Sequence, residues 1–286
     1  MTKIKTPKPA TIDFETLGIE GRPKYPPVPV GVSIKYPGKK SRYFAWGHIT
    51  ENNCSYGEAR EALIKAYASK DGVLFQNGKF DVDVAEEHMD IPIPSWEKIH
   101  DTLFLLFLDD PHQIELGLKP SAARLLDMPP EEQDAVGEWL IANQPVPGVK
   151  ISKSRASGHY FGRYVCMAPG GLVGKYANGD VDRTEQIFNL LWPKTIARDM
   201  RVAYDREREL MPVLLEMERR GLPVDLERLR KDVGIYTACR ALVEEWIIKA
   251  IKAPADINLD SGAELVEAML KAKKCDENLM PRTPTG

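Results

Sequence analysis

The sequence predicts an α/β fold, a mixed sheet flanked by helices, with a helical extension at its C-terminal end. Three patterns support this. Thr11-Ile12-Asp13-Phe14-Glu15-Thr16-Leu17 alternates apolar and acidic residues, as a strand with one face in a core does. A helical pattern at 58–69 followed by a short apolar strand at 72–76 requires a parallel crossover. From Lys175 onward the spacing of apolar residues is almost wholly helical.

Taken in order, the opening strand is followed by the proline-rich loop 22–29. Two strands come next, 30–36 and 42–46, joined at Pro37-Gly38 into an antiparallel meander. Asn77-Gly78 separates the strand at 72–76 from a helix at 80–88. Leu103 to Leu108 reads as a buried helix stopped at Asp110-Pro111, with shorter helices at 116–126 and 131–141. The stretch 144–174 reads as irregular because prolines and glycines crowd it. Helix is expected again at 175–191, with a pause at Trp192-Pro193, and then from Thr195 to Arg220. Asp225 is a plausible cap for a helix over 226–251, and a last helix covers 261–274.

Composition narrows the class. A net charge of -3 argues against a generally basic coat for nucleic acid, so any such binding rests on local patches. Cys54, Cys166, Cys239 and Cys275 form no C-x-x-C pair and read as reduced thiols in a cytoplasmic protein. No apolar run approaches the length of a membrane span, and the start leads into no signal-peptide core.

The chemistry lies in the acids. Asp13 and Glu15 project from one face of their strand, where they would repel unless a hard divalent cation, magnesium or manganese, sat between them. Taken alone, the pair reads as surface acids on a solvated edge strand. Asp81, in Asn77-Gly78-Lys79-Phe80-Asp81, stands at a helix start, where the helix dipole alone would account for it. Tyr176 and Asp180 are one helical turn apart and share a face. Asp182 lies about 160° farther round at about 100° per residue and should serve another contact. From Trp139 to Gly179 there is no Asp or Glu, while Lys150, Lys153, Arg155 and Arg163 alternate with His159 and Tyr160. That stretch is either a solvated loop or a strand-binding surface.

Together these three segments, in this order, resemble the exonuclease motifs of the DnaQ-like 3′–5′ exonuclease superfamily, in its tyrosine subclass. His100-Asp101-Thr102 is similar to a segment found between the second and third motifs there. The run from Tyr204 through Gly221-Leu222-Pro223-Val224-Asp225 resembles the linker between exonuclease and polymerase in family A DNA polymerases, and the proline-rich loop and the insert at 152–174 look like the bacteriophage versions of that enzyme. Residues 257–286 are similar to the start of the thumb, and no palm or fingers motif follows.

The resemblance implies a ribonuclease H-like, five-stranded mixed sheet. It implies an exonuclease domain over 1–194 and a linker with partial thumb over 195–286. The implied activity is removal of 5′ mononucleotides from the 3′ end of single-stranded or mispaired DNA, with two Mg2+ or Mn2+ ions. Asp13, Glu15, Asp81 and Asp180 would hold the ions, and Tyr176, neutral near pH 7, would orient the attacking water by a hydrogen bond. Asp101 would support the site from behind, or simply cap the following helix. Thr16, Leu17, Asn77, Phe80, Lys150, Lys153, Arg155 and Arg163 would meet the nucleic acid. Its partners would be a single-stranded DNA 3′ end and a separate subunit carrying palm and fingers. The location would be cytoplasmic, the host's if the source is a phage. Two alternatives are an RNA-trimming exonuclease and a docking module whose site is idle.

Overall fold

Five strands form among the described residues: β1 (Ala10–Thr16), β2 (Pro29–Lys35), β3 (Arg42–Ala45), β4 (Val73–Phe75) and β5 (Ile99–Asp101). The computed structural model describes residues 6–129, 131–154 and 158–276 and orders the strands β3-β2-β1-β4-β5. β1 pairs antiparallel with β2 and parallel with β4, and β4 pairs parallel with β5. The sheet is therefore mixed and ribonuclease H-like in its strand order. β5 is only three residues long, and its single alternation carries little periodic signal of its own.

Each face of the sheet has its own cover. Ile12, Phe14, Val32 and Ile34 pack with α1 (Tyr56–Tyr67) and α2 (Lys79–Met89). On the opposite face, Leu74 meets Leu105 and Leu106 of α3 (Thr102–Asp109) and Ala122 of α4 (Leu118–Leu126). Tyr43 and Ala45 pack there with Val136 and Leu140 of α5 (Glu131–Asn143). Both groups close on α6 (Gly170–Ala197), through Ile187, Phe188, Leu191 and Trp192 on one side and Ala177 on the other. Alternation along β1 then sends Asp13 and Glu15 toward α6 while Ile12 and Phe14 enter the other core.

Two helix expectations need correction. The residues Gly170 to Gly174 begin α6 instead of interrupting the chain. The start of the helix runs so close to the loop after β3 that a Cβ at Gly170 would lie 2.6 Å from the Glu51 carbonyl oxygen. Glycine here permits a close approach. Nor does the helix pause at Trp192-Pro193. Trp192 is buried against Phe188 and His100, and Pro193 lies within the last turns of α6. The reversal comes at Asp199, which takes a φ of 56°. A smaller shift concerns α1, which begins two residues early because Ser55 and Glu58 form a reciprocal capping box.

The chain divides into two compact units, Met1–Arg220 and Gly221–Gly286. Residue 194, the expected end of the first domain, lies inside α6, and α7 (Arg201–Arg220) belongs to the first unit. Three side chains fix α7 there. Tyr204 accepts a hydrogen bond from the Asp101 amide at 3.0 Å. Arg208, buried, donates to the carbonyls of Ile99 (2.6 Å), Glu97 (2.7 Å) and Trp96 (3.0 Å). Arg219 pairs with Asp83 at 2.6 Å and Glu86 at 2.7 Å, and Arg22 reaches the other oxygen of Asp83 at 2.9 Å. The second unit holds α8 (Leu226–Ala250), capped by Asp225, and α9 (Gly262–Lys271), capped by Ser261.

Arg208→Met should lower stability by about 3 kcal/mol, because the carbonyls of Trp96, Glu97 and Ile99 lose this donor at once and Asp205 keeps only Arg201. Urea unfolding measures this, and a loss below about 1 kcal/mol would contradict it.

Candidate active site

Asp13 lies opposite Ser33 and Glu15 opposite Gly31 in the β1–β2 register. A Cβ at Gly31 would overlap the buried Tyr43 ring and hydroxyl, so any larger residue there would displace that side chain. Ser33 donates to the Asn178 side chain at 2.8 Å and so fixes the height of α6 over the strand. Asp180 is thereby brought to β1. Ligand oxygens of Asp13, Glu15 and Asp180 lie within 4.8 Å of one another, the one group of three or more metal-ligating side chains this close among the described residues.

Asp81 adjoins this trio and stands outside it. Its carboxylate accepts from the Phe14 amide at 3.1 Å, just beyond the residues where β1 pairs with β4. It is held there by a turn that Asp101 organises. The Asp101 carboxylate accepts from the amides of Asn77 (2.9 Å), Gly78 (2.7 Å) and Leu103 (2.8 Å). One carboxylate thus caps α3 through Leu103 and also holds the turn that carries Asp81. Asn77 takes a left-handed φ of 62° in that turn.

The electrostatics are those of gathered like charges. Desolvation, then the charge of Asp180, pushes the Asp13 carboxyl up to about 8. Glu15 is raised well above the usual carboxylate range by desolvation and by Asp13 and Asp180. Asp81 is raised by burial and by Asp13, against the opposing hydrogen bond from Phe14. The Tyr176 phenol, raised by burial and the neighbouring acids, stays protonated. Three hard oxygen donors this close, two of which, Asp13 and Glu15, are pushed toward the neutral form by burial and by their neighbours' charge, make a donor set that fits a divalent cation.

Lys119, at the start of α4, escaped the sequence reading. Its ammonium donates to the Tyr176 hydroxyl at 2.8 Å and to Asp180 Oδ2 at 3.0 Å, and lies 4.4 Å from the centre of the Tyr176 ring. A lone lysine in Gly117-Leu118-Lys119-Pro120 carries no spacing that would mark it. Arg183, one turn after Asp180 on the same helix, reaches Asp180 Oδ1 at 3.4 Å. Asp182 turns away, as its angle on the helix requires, and pairs with Lys35 at 2.7 Å.

The residues expected to meet nucleic acid are dispersed. Leu17, Gly18, Val28, Val146, Arg163 and Tyr164 line a recess of about 430 Å³ beyond the end of β1. Thr16 bonds the Leu17 carbonyl, and Phe80 tilts against Tyr25 with ring centres 6.1 Å apart. Lys150 and Lys153 are exposed. Lys153 lies 3.6 Å from Glu138, the acid just before the acid-free stretch, so that stretch is less free of negative charge than its sequence suggests. Arg155 lies outside the described residues.

No family model matches the chain. No curated protein matches it either. Among solved structures, the chain is similar to the POL domain of Pol1 from M. smegmatis in complex with DNA primer-template and dNTP. That match has 16% identity and a TM-score of 0.63, over 98% of this chain and 39% of that chain. Brucella melitensis NrnC bound to pGG is similar at 19% identity and a TM-score of 0.47, over 75% of this chain and 86% of that one. The apo form of a nuclease gives 17% identity and 0.49, over 76% and 86%. At these identities the likeness to the Pol1 domain is one of fold, and this chain spans about two fifths of that chain's length. No helix among the described residues is long and apolar enough to cross a membrane.

Asp13 ionises near 8 in the folded chain against 3.8 for the unperturbed group, so the folded state holds the extra proton between about pH 4 and pH 8. Stability therefore falls as pH rises through that window, and raised Glu15 and Asp81 act in the same direction. In chelator, the melting temperature should be higher at pH 5 than at pH 8, and Asp13→Asn should flatten the difference. A melting temperature that rises with pH in wild type would refute this.

Proposed function

We propose that the chain is a metal-dependent 3′–5′ exonuclease acting on single-stranded or mispaired DNA ends, the proofreading portion of a family A DNA polymerase. The observation that carries the reading is the meeting of Asp13, Glu15 and Asp180 beside the Tyr176 phenol. The order in which these residues follow one another along the chain supports it. So does fold likeness to a polymerase domain over nearly the whole chain, the helical second unit included.

Asp13, Glu15 and Asp180 would hold the cation set, with Asp81 supporting it from beside Asp13. Two divalent ions, magnesium or manganese, would activate a water and neutralise charge on the oxygens of the scissile phosphate. Tyr176 keeps its proton, accepts from Lys119 and is hydrogen-bonded to Asp180, so its hydroxyl stands beside a ligand carboxylate, where it would orient the attacking water. That makes it a donor and excludes it as a base at neutral pH. The recess beside Leu17 and Arg163 would receive the terminal nucleotide, an apolar wall for the base and a cation for the backbone.

Asp13→Ala and Asp180→Ala should each abolish Mg2+-dependent release of mononucleotides from a 3′-labelled single strand while the circular dichroism spectrum is unchanged. Wild-type rates in either variant would sink the assignment. Equal-length DNA and RNA strands decide the substrate, with DNA expected to be degraded faster; the reverse order would favour the RNA-trimming alternative. Arg163→Gln should weaken single-strand binding and reduce the slope of log K against log salt by about 0.7, one phosphate contact. An unchanged slope would remove Arg163 from the interface.

A further inference from the structure

Both oxygens of Asp180 are already engaged by cations of the chain itself. Arg183 meets Oδ1 at 3.4 Å and Lys119 meets Oδ2 at 3.0 Å. The two are not equivalent. Arg183 is almost wholly buried and is tied to the carbonyls of Pro129 at 2.8 Å and Met128 at 3.4 Å, so it is fixed. The Lys119 side chain is 20% exposed and ends in a compact ammonium on a flexible stem, so it can leave toward solvent. Its position also gains nothing from its own helix. It lies in the first turn of α4, where the helix dipole disfavours a positive charge, and Gly117 supplies no side-chain cap. What holds it is the site: a carboxylate, a phenol oxygen and the face of the same phenol ring.

We propose that Lys119 is the internal counter-ion of the acid cluster, a positioning residue that ties the Tyr176 phenol to Asp180 and competes with divalent cations for the carboxylates. With no cation bound, the ammonium offsets the repulsion among Asp13, Glu15 and Asp180 and keeps Tyr176 at its height over β1. When a divalent cation enters, Lys119 yields Asp180 Oδ2 and turns toward solvent, so the lysine sets how tightly the cluster takes metal. The competition rests on the metal-dependent reading above; the pairing of Lys119 with Asp180 does not.

Two measurements on the full chain test this. In chelator, a double-mutant cycle of Lys119→Met and Asp180→Asn by thermal unfolding should be non-additive, Lys119→Met lowering the melting temperature only where Asp180 keeps its charge. Additive effects would overturn the pairing. By calorimetry with calcium alone, Lys119→Met should bind about tenfold tighter than wild type, because one nearby positive charge is gone. Lys119→Arg, which keeps the charge, should stay within about twofold of wild type. If Lys119→Met binds calcium no more tightly than wild type while wild type still degrades DNA, the counter-ion is overturned and the nuclease reading stands. If wild type binds no divalent cation, the metal-dependent reading falls and the competition with it, whatever the cycle reads.

Discussion

Repulsion among carboxylates crowded at the middle of the sheet is the constraint on which the rest of the first unit depends. Asp13 and Glu15 cannot turn away, because alternation along β1 is locked by Ile12 and Phe14 in the opposite core. Asp180 cannot retreat, because α6 is seated by its glycine-lined contact with the loop after β3 and by the Ser33–Asn178 hydrogen bond. The packing thus holds the charges in place, and the chain offsets part of the cost with Lys119 and Arg183 and part by keeping carboxyls neutral. Such stored electrostatic strain is characteristic of sites that bind charge.

Much of this was legible before folding. The three acid-bearing segments state their own secondary structure: alternation for Asp13 and Glu15, a strand-to-helix break for Asp81, one-turn spacing for Tyr176 and Asp180. Asp182 was legible as well, since its angle on the helix separates it from Asp180 and sends it to Lys35. Lys119 was not, because its role exists only when the start of α4 is brought beside α6, a contact between residues 57 and 61 positions apart. Asp101 was half legible: capping is a local signal, whereas its grip on the Asn77 and Gly78 amides is not.

The two departures within α6, at its start and at Trp192-Pro193, share one cause. Glycine and proline punctuate a chain when they act through backbone freedom, and they do not when tertiary contact decides. Gly170 is required by the nearness of another backbone, and Pro193 sits where Trp192 anchors the helix through its side chain. Charge along the acid-free stretch before Tyr176 is subject to the same effect, because a count along the sequence omits Glu138, which reaches Lys153 from the preceding helix.

The clamp at the end of α7 bears on how the protein can be dissected. A fragment cut at residue 194 would strip Tyr204 from the Asp101 amide and Arg208 from three carbonyls, and would leave Asp83 with Arg22 as its one remaining ion-pair partner. Asp83 lies two residues beyond Asp81 on the same helix. The smallest piece able to keep that helix seated therefore ends no earlier than Arg219, and a shorter clone would report on a damaged scaffold more than on the chemistry it was made to isolate.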